Sequence, residues 1–234
     1  MLLYYVRHGD PCYNPDSLTP LGHRQAEAIG RRIAKYGVDE IYASTMVRAT
    51  QTAVPTAEMM RKEIQPVDFA REDLAWKDLS VMQENGRRTW ICNNPEIQKL
   101  FATPEVREMG SSWYKHPAFS AYRAGVERIG READEWLASL GYERMEREGF
   151  YKAVAPNEKR IALFAHEGFG LFFLSHILGI GYPQFSQTFN ISHTSLTVIR
   201  FEEQNGICIP YVYTMANDAH LYHDHLPIYT RPVF

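Results

Sequence analysis

The sequence is short of cysteine, of basic runs and of long hydrophobic runs, and each shortage excludes a class of protein. Three cysteines, Cys12, Cys92 and Cys208, stand far apart in 234 residues, so a disulfide framework is not expected. The 25 basic residues nearly balance the 28 acidic ones, which gives a nucleic-acid-binding role little support. The longest apolar stretches, 161–165 and 169–173, are far too short to cross a bilayer.

The N-terminus also lacks the pattern of an export signal. Met1 leads straight into strand-like residues, with no basic segment and no cleavage site before them. We therefore expect a soluble, cytoplasmic protein with no membrane partner. With 234 residues, of which 45% are hydrophobic, the chain can build one α/β domain with a sizeable core.

Strands and helices alternate over the first sixty residues and again after residue 119. Strands are predicted at 2–6, 39–44, 64–69 and 160–165. Thr19 and Pro20 mark the start of a first helix that Gly37 ends. Further helices are predicted after Ser44 or Thr45, at 120–140 and at 168–178, and a hairpin is predicted to turn at 204–206. This alternation indicates a mostly parallel sheet covered on both faces, with some antiparallel strands from the hairpin.

The middle of the chain is irregular. Residues 70–119 contain scattered Trp, Asn, Pro and Gly without a sustained period, and they are too many for a plain loop in a compact domain. We expect short helices there, forming a cap. The chain is accordingly predicted to be a single domain, 1–234, with 70–119 as an insert or cap within it.

Two predicted strands end in a histidine that is followed closely by glycine. One strand runs into Arg7-His8-Gly9 and the other into His166-Glu167-Gly168. Because parallel strands end at the same edge of a sheet, the two histidines are expected to meet across a cleft, and Arg48 follows another strand toward the same edge. Arg offers planar, bidentate donors to phosphate, and a neutral His is a competent nucleophile at neutral pH. The four residues therefore suggest a site for a doubly charged oxyanion.

Four segments together resemble a known family. "VRHGDPCYN", "LTPLGHRQA", "DEIYASTMVRATQTA" and "LFAHEG" are similar, in this order, to the signatures of the histidine phosphatase superfamily, which includes cofactor-dependent phosphoglycerate mutase. The resemblance implies a three-layer α/β/α sandwich with a mostly parallel sheet, a helical or irregular insert over the site, and a phosphohistidine intermediate. It implies that His8 is the nucleophile and that Arg7, Arg48, Asn14 and His166 bind the phosphoryl group. The family uses no metal, so neither a metal nor another cofactor is expected.

The alkoxide that leaves the phosphorus needs a proton, so a carboxylic acid is expected above the site. Many relatives have a Leu-x-Glu step ahead of a closing Gly. Aligning Gly86 with that Gly puts Asp78 at the position of the acid. Asp78 is therefore the first choice, and Glu84, Glu72 and Asp73 remain alternatives.

A cluster of His and Asp closes the sequence in "NDAHLYHDH". Asp218, His220, His223, Asp224 and His225 could suggest a metal site, but their spacing fits no common zinc pattern. Some relatives carry a similar tail. We expect this tail to pack over the site and to hold no metal.

The leading prediction is a phosphomonoesterase that acts on a small phosphorylated metabolite. The first alternative, a phosphoglycerate mutase, should need more basic residues in the insert than Arg87, Arg88 and Lys115. The insert is instead rich in aromatic residues, which favour a more apolar lid: Trp76, Trp90, Trp113 and Tyr114. An alternative of another class is a catalytically weak phosphate-binding or regulatory protein on the same fold. A homodimer is left open, and no nucleic-acid partner is expected.

Overall fold

The computed structural model describes residues 1–146 and 149–228. Its strands are β1 (Leu2–Arg7), β2 (Pro11–Tyr13), β3 (Asp16–Leu18), β4 (Glu40–Ser44), β5 (Ile64–Val67), β6 (Ser80–Met82), β7 (Arg88–Trp90), β8 (Tyr142–Arg144), β9 (Tyr151–Ala153), β10 (Arg160–Ala165), β11 (Leu196–Gln204) and β12 (Ile207–Asn217). Its α-helices are α1 (Pro20–Tyr36), α2 (Val47–Met60), α3 (Glu72–Leu79), α4 (Pro95–Phe101), α5 (Pro104–Glu108), α6 (Arg123–Ser139), α7 (Glu167–Leu178), α8 (Tyr182–Thr188) and α9 (Ala219–His223). Four short 3-10 helices lie at Asp68–Ala70, Ile91–Asn93, Gly110–Lys115 and Pro117–Tyr122.

The central sheet has eight strands among the described residues, in the order β5-β4-β10-β1-β11-β12-β9-β8. The four strands from β5 to β1 are parallel to one another, whereas β11, β12, β9 and β8 each pair with their neighbours in antiparallel fashion. The α/β fold is as predicted, but the sheet is mixed rather than mostly parallel. The difference arises because the β11–β12 hairpin is extended by two strands, β8 and β9, of three residues each, too short to leave a pattern in the sequence.

Helices cover both faces of this sheet, which confirms the layered arrangement. Side chains alternate along β1: Tyr4 and Val6 pack in one hydrophobic cluster with residues of α1 and α2. Leu3 and Tyr5 belong to the cluster on the other face, which also contains residues of α6, α7 and the insert. This alternation follows from the two-residue repeat of a strand.

The first helix begins and ends where the sequence predicts. The Thr19 side chain accepts a hydrogen bond from the Gly22 amide at 3.1 Å, which satisfies one of the free N–H groups at the start of α1. Gly37 follows the last helical residue with a φ of 83°, a conformation that favours glycine. The predicted hairpin is also present, and Asn205 and Gly206 at its turn both have positive φ.

The segment 70–119 folds as a set of short elements over the C-terminal edge of the parallel strands. It contains α3, the β6–β7 hairpin, α4, α5 and part of the 3-10 structure. Its buried residues Ala75, Leu79, Phe101 and Trp113 belong to the same hydrophobic cluster as Leu3 of the sheet. That continuity is what a single domain requires, and the assignment of 1–234 to one domain stays a prediction, with residues 147–148 and 229–234 outside the described ranges.

Across the described ranges, every helix is too short or too polar to act as a membrane span.

Candidate active site

The two histidine motifs meet because their strands are neighbours. β1 pairs with β10 in parallel register, with Arg7 opposite Ala165, and the His8 amide donates to the Ala165 carbonyl at 2.9 Å. The first residues beyond each strand are therefore side by side at one edge of the sheet. The ring centroids of His8 and His166 are 5.1 Å apart. The structure thus brings together the pair that the sequence predicts.

The His8 ring is held in one tautomer. Nδ1 lies 2.7 Å from the carbonyl oxygen of Gly9. A carbonyl can only accept, so Nδ1 carries the proton in a neutral ring and the lone pair is on Nε2. His8 is 1% exposed, and burial lowers its pKa well below the usual value, with further lowering by electrostatic interaction with His166, Arg7 and Arg48. The ring is therefore neutral at pH 7 and presents a free nitrogen.

His166 is completely buried beside it. Its Nε2 is 2.9 Å from the hydroxyl of Ser44, the last residue of β4. The Tyr5 hydroxyl donates to the His166 carbonyl at 2.5 Å and fixes the backbone where β10 turns into α7. Burial, followed by the charges of Arg48 and Arg7, lowers the pKa of His166 well below its ordinary value. A bound phosphate dianion would offset the positive charges of both arginines and so favour the protonated His166 ring.

Two buried arginines flank the histidines, and carboxylates neutralise both. Arg7 Nη1 donates to the Ile191 carbonyl at 2.6 Å and forms an ion pair with Glu167 at 2.9 Å. Arg48 forms ion pairs with Asp16 at 2.7 Å and with Glu72 at 2.8 Å. The two arginines expected to bind phosphate thus lie beside the histidines, and nearby carboxylates compensate their charges.

The N-termini of two helices also point into the site. At α2, the Val47 amide donates to the second oxygen of Asp16 at 2.8 Å, so this carboxylate holds the helix start as well as the Arg48 side chain. The sequence suggests Ser44 or Thr45 as the cap, but α2 begins at Val47 and the capping oxygen comes from the β2–β3 hairpin. At α7, the Gly168 amide donates to Glu72 Oε1 at 2.8 Å. Helix N-termini favour anions, so both positions suit phosphate oxygens.

Glu72, rather than Asp78, reaches this assembly. Besides Arg48 and Gly168, its Oε2 lies 3.6 Å from Nδ1 of His166. Asp78 accepts a hydrogen bond from Arg128 on α6 at 3.1 Å, and a Cβ at position 125 of that helix would overlap the Asp78 side chain. Glu72 and Asp78 are six residues apart on α3 and thus project about 120° apart around its axis. Facing α6, Asp78 is turned away from the site by the helix itself.

The remaining acid candidates are exposed. Asp73 forms a two-pronged ion pair with Arg71, and Glu84 is at the turn of the β6–β7 hairpin. Asn14 is also exposed, in the turn between β2 and β3, where its carbonyl accepts from the Cys12 thiol at 3.5 Å. The neighbours of Asn14 are the ones that contact the site, since the Tyr13 ring lies 5.4 Å from the Arg48 guanidinium.

His193 was not identified from the sequence as a residue of the site. His193 is buried, its ring centroid is 5.7 Å from that of His8, and its Nδ1 is 3.7 Å from Asp10. Burial and then the charge of Arg7 lower the pKa of His193 to about 3. It precedes β11, whose antiparallel pairing with β1 brings its start to the edge where β1 ends. Recognising β11 as the antiparallel neighbour of β1 would have revealed this third histidine.

The C-terminal tail supports the site from behind. The Thr194 amide donates to the carbonyls of Arg7 and His8 at 3.1 and 3.3 Å, and the Thr194 hydroxyl is 3.0 Å from Nε2 of the buried His220. Burial, and then the charge of Arg32, lower the pKa of His220 to about 4. The tail is thus linked to the nucleophile through a single residue, Thr194.

Of the other residues of the terminal cluster, Asp218 accepts a hydrogen bond from Ser192 at 3.0 Å, whereas His223 and His225 are exposed. His223 and Asp224 form an ion pair at 2.8 Å, and Asp224 also pairs with Arg31 of α1. Within the part of the chain that the structure describes, the group suited to metal ligation is instead His8, Glu72 and His166, whose ligand atoms lie within 4.8 Å of one another. Burial is the main cause that lowers the pKa of both histidines, and the charges of Arg7 and Arg48 lower it further. The same field would oppose a divalent cation.

Comparison with known proteins relates the first hundred residues to a family. Residues 3–100 match the sequence model of the histidine phosphatase superfamily (branch 1). Over 97 residues, the chain is 32% identical to a protein of Hydrogenobacter thermophilus named "Putative phosphoserine phosphatase 2". That alignment covers 38% of this chain and 45% of the relative, so the chain spans less than half the length of this curated relative. The match over residues 3–100 confirms the resemblance to the histidine phosphatase superfamily, branch 1, that the motifs suggest.

Solved structures share the fold over nearly the whole chain. A phosphoserine phosphatase from Entamoeba histolytica, in complex with phosphoserine, has a TM-score of 0.61 at 18% identity, with 94% of this chain and 98% of that chain covered. A mycobacterial glucosyl-3-phosphoglycerate phosphatase with bound VO3 has a TM-score of 0.60 at 17% identity, with 91% and 97% covered. At identities of 17–18%, the likeness to these structures shows a shared fold and nothing further.

Proposed function

We propose that the protein is a phosphomonoesterase that hydrolyses a small phosphorylated metabolite through a phosphohistidine on His8. The observation that carries the proposal is the His8 ring: it is neutral, its free Nε2 is fixed by the Nδ1–Gly9 hydrogen bond, and it lies among Arg7, Arg48 and His166. Phosphoryl transfer needs mainly positioning and charge neutralisation. The site supplies both with residues of its own.

In the first step, Nε2 of His8 attacks the phosphorus as the bond from phosphorus to the ester oxygen breaks. Arg7, Arg48 and the amide of Gly168 stabilise the equatorial oxygens. To bind Arg7 and Arg48, the phosphoryl group displaces the Glu167 and Asp16 carboxylates from these two arginines. The leaving oxygen takes a proton from Glu72, which must bind that proton together with the substrate, since the free site holds Glu72 as the carboxylate partner of Arg48. We transfer to Glu72 the acid role first assigned to Asp78, because Glu72 alone of the four candidates contacts His166 and Arg48.

In the second step, water attacks the phosphohistidine. Glu72, now a carboxylate, accepts a proton from this water as the nitrogen–phosphorus bond breaks. Inorganic phosphate leaves, and His8 regains its free Nε2. Each step uses only side chains of this chain and water, so we propose no metal and no organic cofactor. The reaction would take place in the cytoplasm, the location that the sequence suggests.

The alternatives receive less support from the insert. A mutase must hold the acidic part of a phosphoglycerate, and the three basic candidates are occupied within the insert or exposed. Arg88 donates to the Ser80 hydroxyl at 2.8 Å, Lys115 lies over the Tyr114 ring at 6.0 Å, and Arg87 is exposed. A purely regulatory protein would not require a nucleophile that is buried, neutral and held in one tautomer.

The test is hydrolysis of a panel of phosphomonoesters, including 3-phosphoglycerate, by the wild type and by His8→Ala. We expect release of inorganic phosphate by the wild type and none by the variant. Conversion of 3-phosphoglycerate to an isomer would favour the mutase, and equal rates for both proteins would contradict the proposal.

A further inference from the structure

The first observation concerns charge around the proposed phosphate site. The guanidinium groups of Arg7 and Arg48 face three carboxylates, those of Asp16, Glu72 and Glu167, at 2.7–2.9 Å. Even if the phosphoryl group displaces two of them, they remain close by. If the substrate carried a second negative charge, that charge would lie close to these carboxylates, and the repulsion would weaken binding.

The second observation is an aromatic wall next to the proposed acid. Trp76 lies one turn after Glu72 on α3, and residues four apart share a face of a helix. Trp90 ends β7 and meets Trp76 edge to face, with their ring centroids 4.9 Å apart. Both indoles are partly exposed, so their surfaces remain accessible to a ligand.

The wall directly borders the atoms that the reaction uses. Trp90 packs so closely on Gly168 that a Cβ at this position would overlap the indole ring. The amide of the same Gly168 donates to Glu72. Glycine is therefore needed at 168 to let the indole reach the start of α7, and no more than one residue separates Trp90 from the carboxylate that protonates the leaving group.

We infer that the wall formed by Trp76 and Trp90 binds the alcohol part of the substrate, and that this alcohol is uncharged and aromatic. The inference rests on the proposed function. In-line attack by His8 places the ester oxygen opposite Nε2 and within reach of Glu72. The substituent on that oxygen must then extend past Gly168, along the two indoles, where acidic neighbours disfavour a carboxylate and the indoles favour an aromatic ring.

The test compares kcat/KM for three alkyl esters of similar leaving-group chemistry: 2-phenylethyl phosphate, ethyl phosphate and phosphoserine. We expect the phenylethyl ester to exceed each of the others by about tenfold or more, since burying one ring against aromatic neighbours is worth roughly that factor. Trp90→Leu should lower the phenylethyl-to-ethyl ratio several-fold, whereas Trp90→Phe should retain most of it. Tyr213→Leu, which removes an exposed ring of β12, should leave the ratio at the wild-type value.

The outcomes separate the two proposals. If the wild type hydrolyses the esters but prefers phosphoserine, or shows no preference for the phenylethyl ester, the inference is wrong and the phosphomonoesterase stands. If Trp90→Leu and Tyr213→Leu keep equal ratios, the aromatic wall does not bind the alcohol. If no ester is hydrolysed, the proposed function fails and the inference fails with it. The ratios measured in the wild type decide the matter even if a Trp90 variant does not fold.

Discussion

The Glu72 carboxylate lies 3.6 Å from Nδ1 of His166. The two residues come from distant parts of the chain: His166 follows β10 of the sheet, and Glu72 begins α3 in the insert. Because the same carboxylate also accepts from the Gly168 amide and pairs with Arg48, it joins the insert to the two helix N-termini at the edge of the sheet. The insert thereby supplies a third carboxylate, beside those of Asp16 and Glu167, in contact with the proposed phosphate-binding residues.

Replacing Glu72 tests its role as the acid. Glu72→Gln keeps the shape of the side chain and removes the proton that the leaving oxygen needs. Hydrolysis of ethyl phosphate should slow by roughly 10²–10⁴-fold, the range usual for general-acid catalysis. The kcat/KM of an aryl phosphate with a good leaving group, which reports only the step that forms the phosphohistidine, should be affected much less, because its phenolate departs with little protonation. Steady-state kinetics with both substrates provide the measurement.

Asp78→Asn is the matched control, since Asp78 lies on the same helix and faces Arg128. We expect it to hydrolyse ethyl phosphate at close to the wild-type rate. A large loss on Asp78→Asn with little loss on Glu72→Gln would restore the assignment first drawn from the sequence.

Protonation of buried histidines should make the fold sensitive to mild acid. His220 titrates near its ordinary value of 6.5 in the unfolded chain, but burial and Arg32 lower its pKa to about 4 in the folded protein. Between these values the unfolded chain binds the extra proton, so the free energy of unfolding falls as the pH decreases below 6.5 and is fully retained above it. From pH 7 to pH 5 this residue alone should account for a loss of about 1–2 kcal/mol.

Urea unfolding at pH 7 and pH 5 measures this loss. His220→Gln cannot titrate, so its loss should be smaller than that of the wild type by about 1–2 kcal/mol. His23→Gln, at an exposed position of α1, should behave like the wild type. An equal loss in the wild type and in His220→Gln would show that His220 is not held neutral by the fold.

Activity should not depend on a metal. His8, Glu72 and His166 could together bind a divalent ion, but the two arginines already provide the positive charge that such an ion would supply. We expect unchanged hydrolysis after exhaustive chelation, and no gain when zinc or magnesium is added back. A loss on chelation that a divalent ion restores would make these three residues ligands rather than a nucleophile, an acid and a phosphate-binding group.

The core of the site can be predicted because it follows from the strands. Arg7 ends β1 and His8 follows it, His166 follows β10, and Arg48 follows β4 by one turn; hydrophobic runs mark all three strands in the sequence. Parallel strands end at a common edge, so the convergence of the four residues needs no knowledge of the loops. The helix from Pro20 to Tyr36 is predictable for a similar reason, since Thr19 and Gly37 mark its ends with their own chemistry.

The rest depends on contacts between distant segments, which no local pattern records. Which carboxylate faces the site depends on how α3 is oriented about its own axis. An alignment on Gly86 cannot distinguish the helix face of Glu72 from that of Asp78. Asp16 holds the start of α2 only because the β2–β3 hairpin folds over it. His193 reaches the site only because β11 runs antiparallel beside β1.

The central claim is that His8 carries the phosphoryl group, and the most direct measurement is rapid quench into alkaline detergent with a ³²P-labelled phosphomonoester. We expect label on the protein during turnover, labile in acid and stable in base, and located by mass spectrometry on His8. The label should be absent from His8→Ala, and it should accumulate in Glu72→Gln with an aryl ester if Glu72 also assists the attack of water. If no label appears on the wild type while His8→Ala keeps wild-type turnover, the account is contradicted.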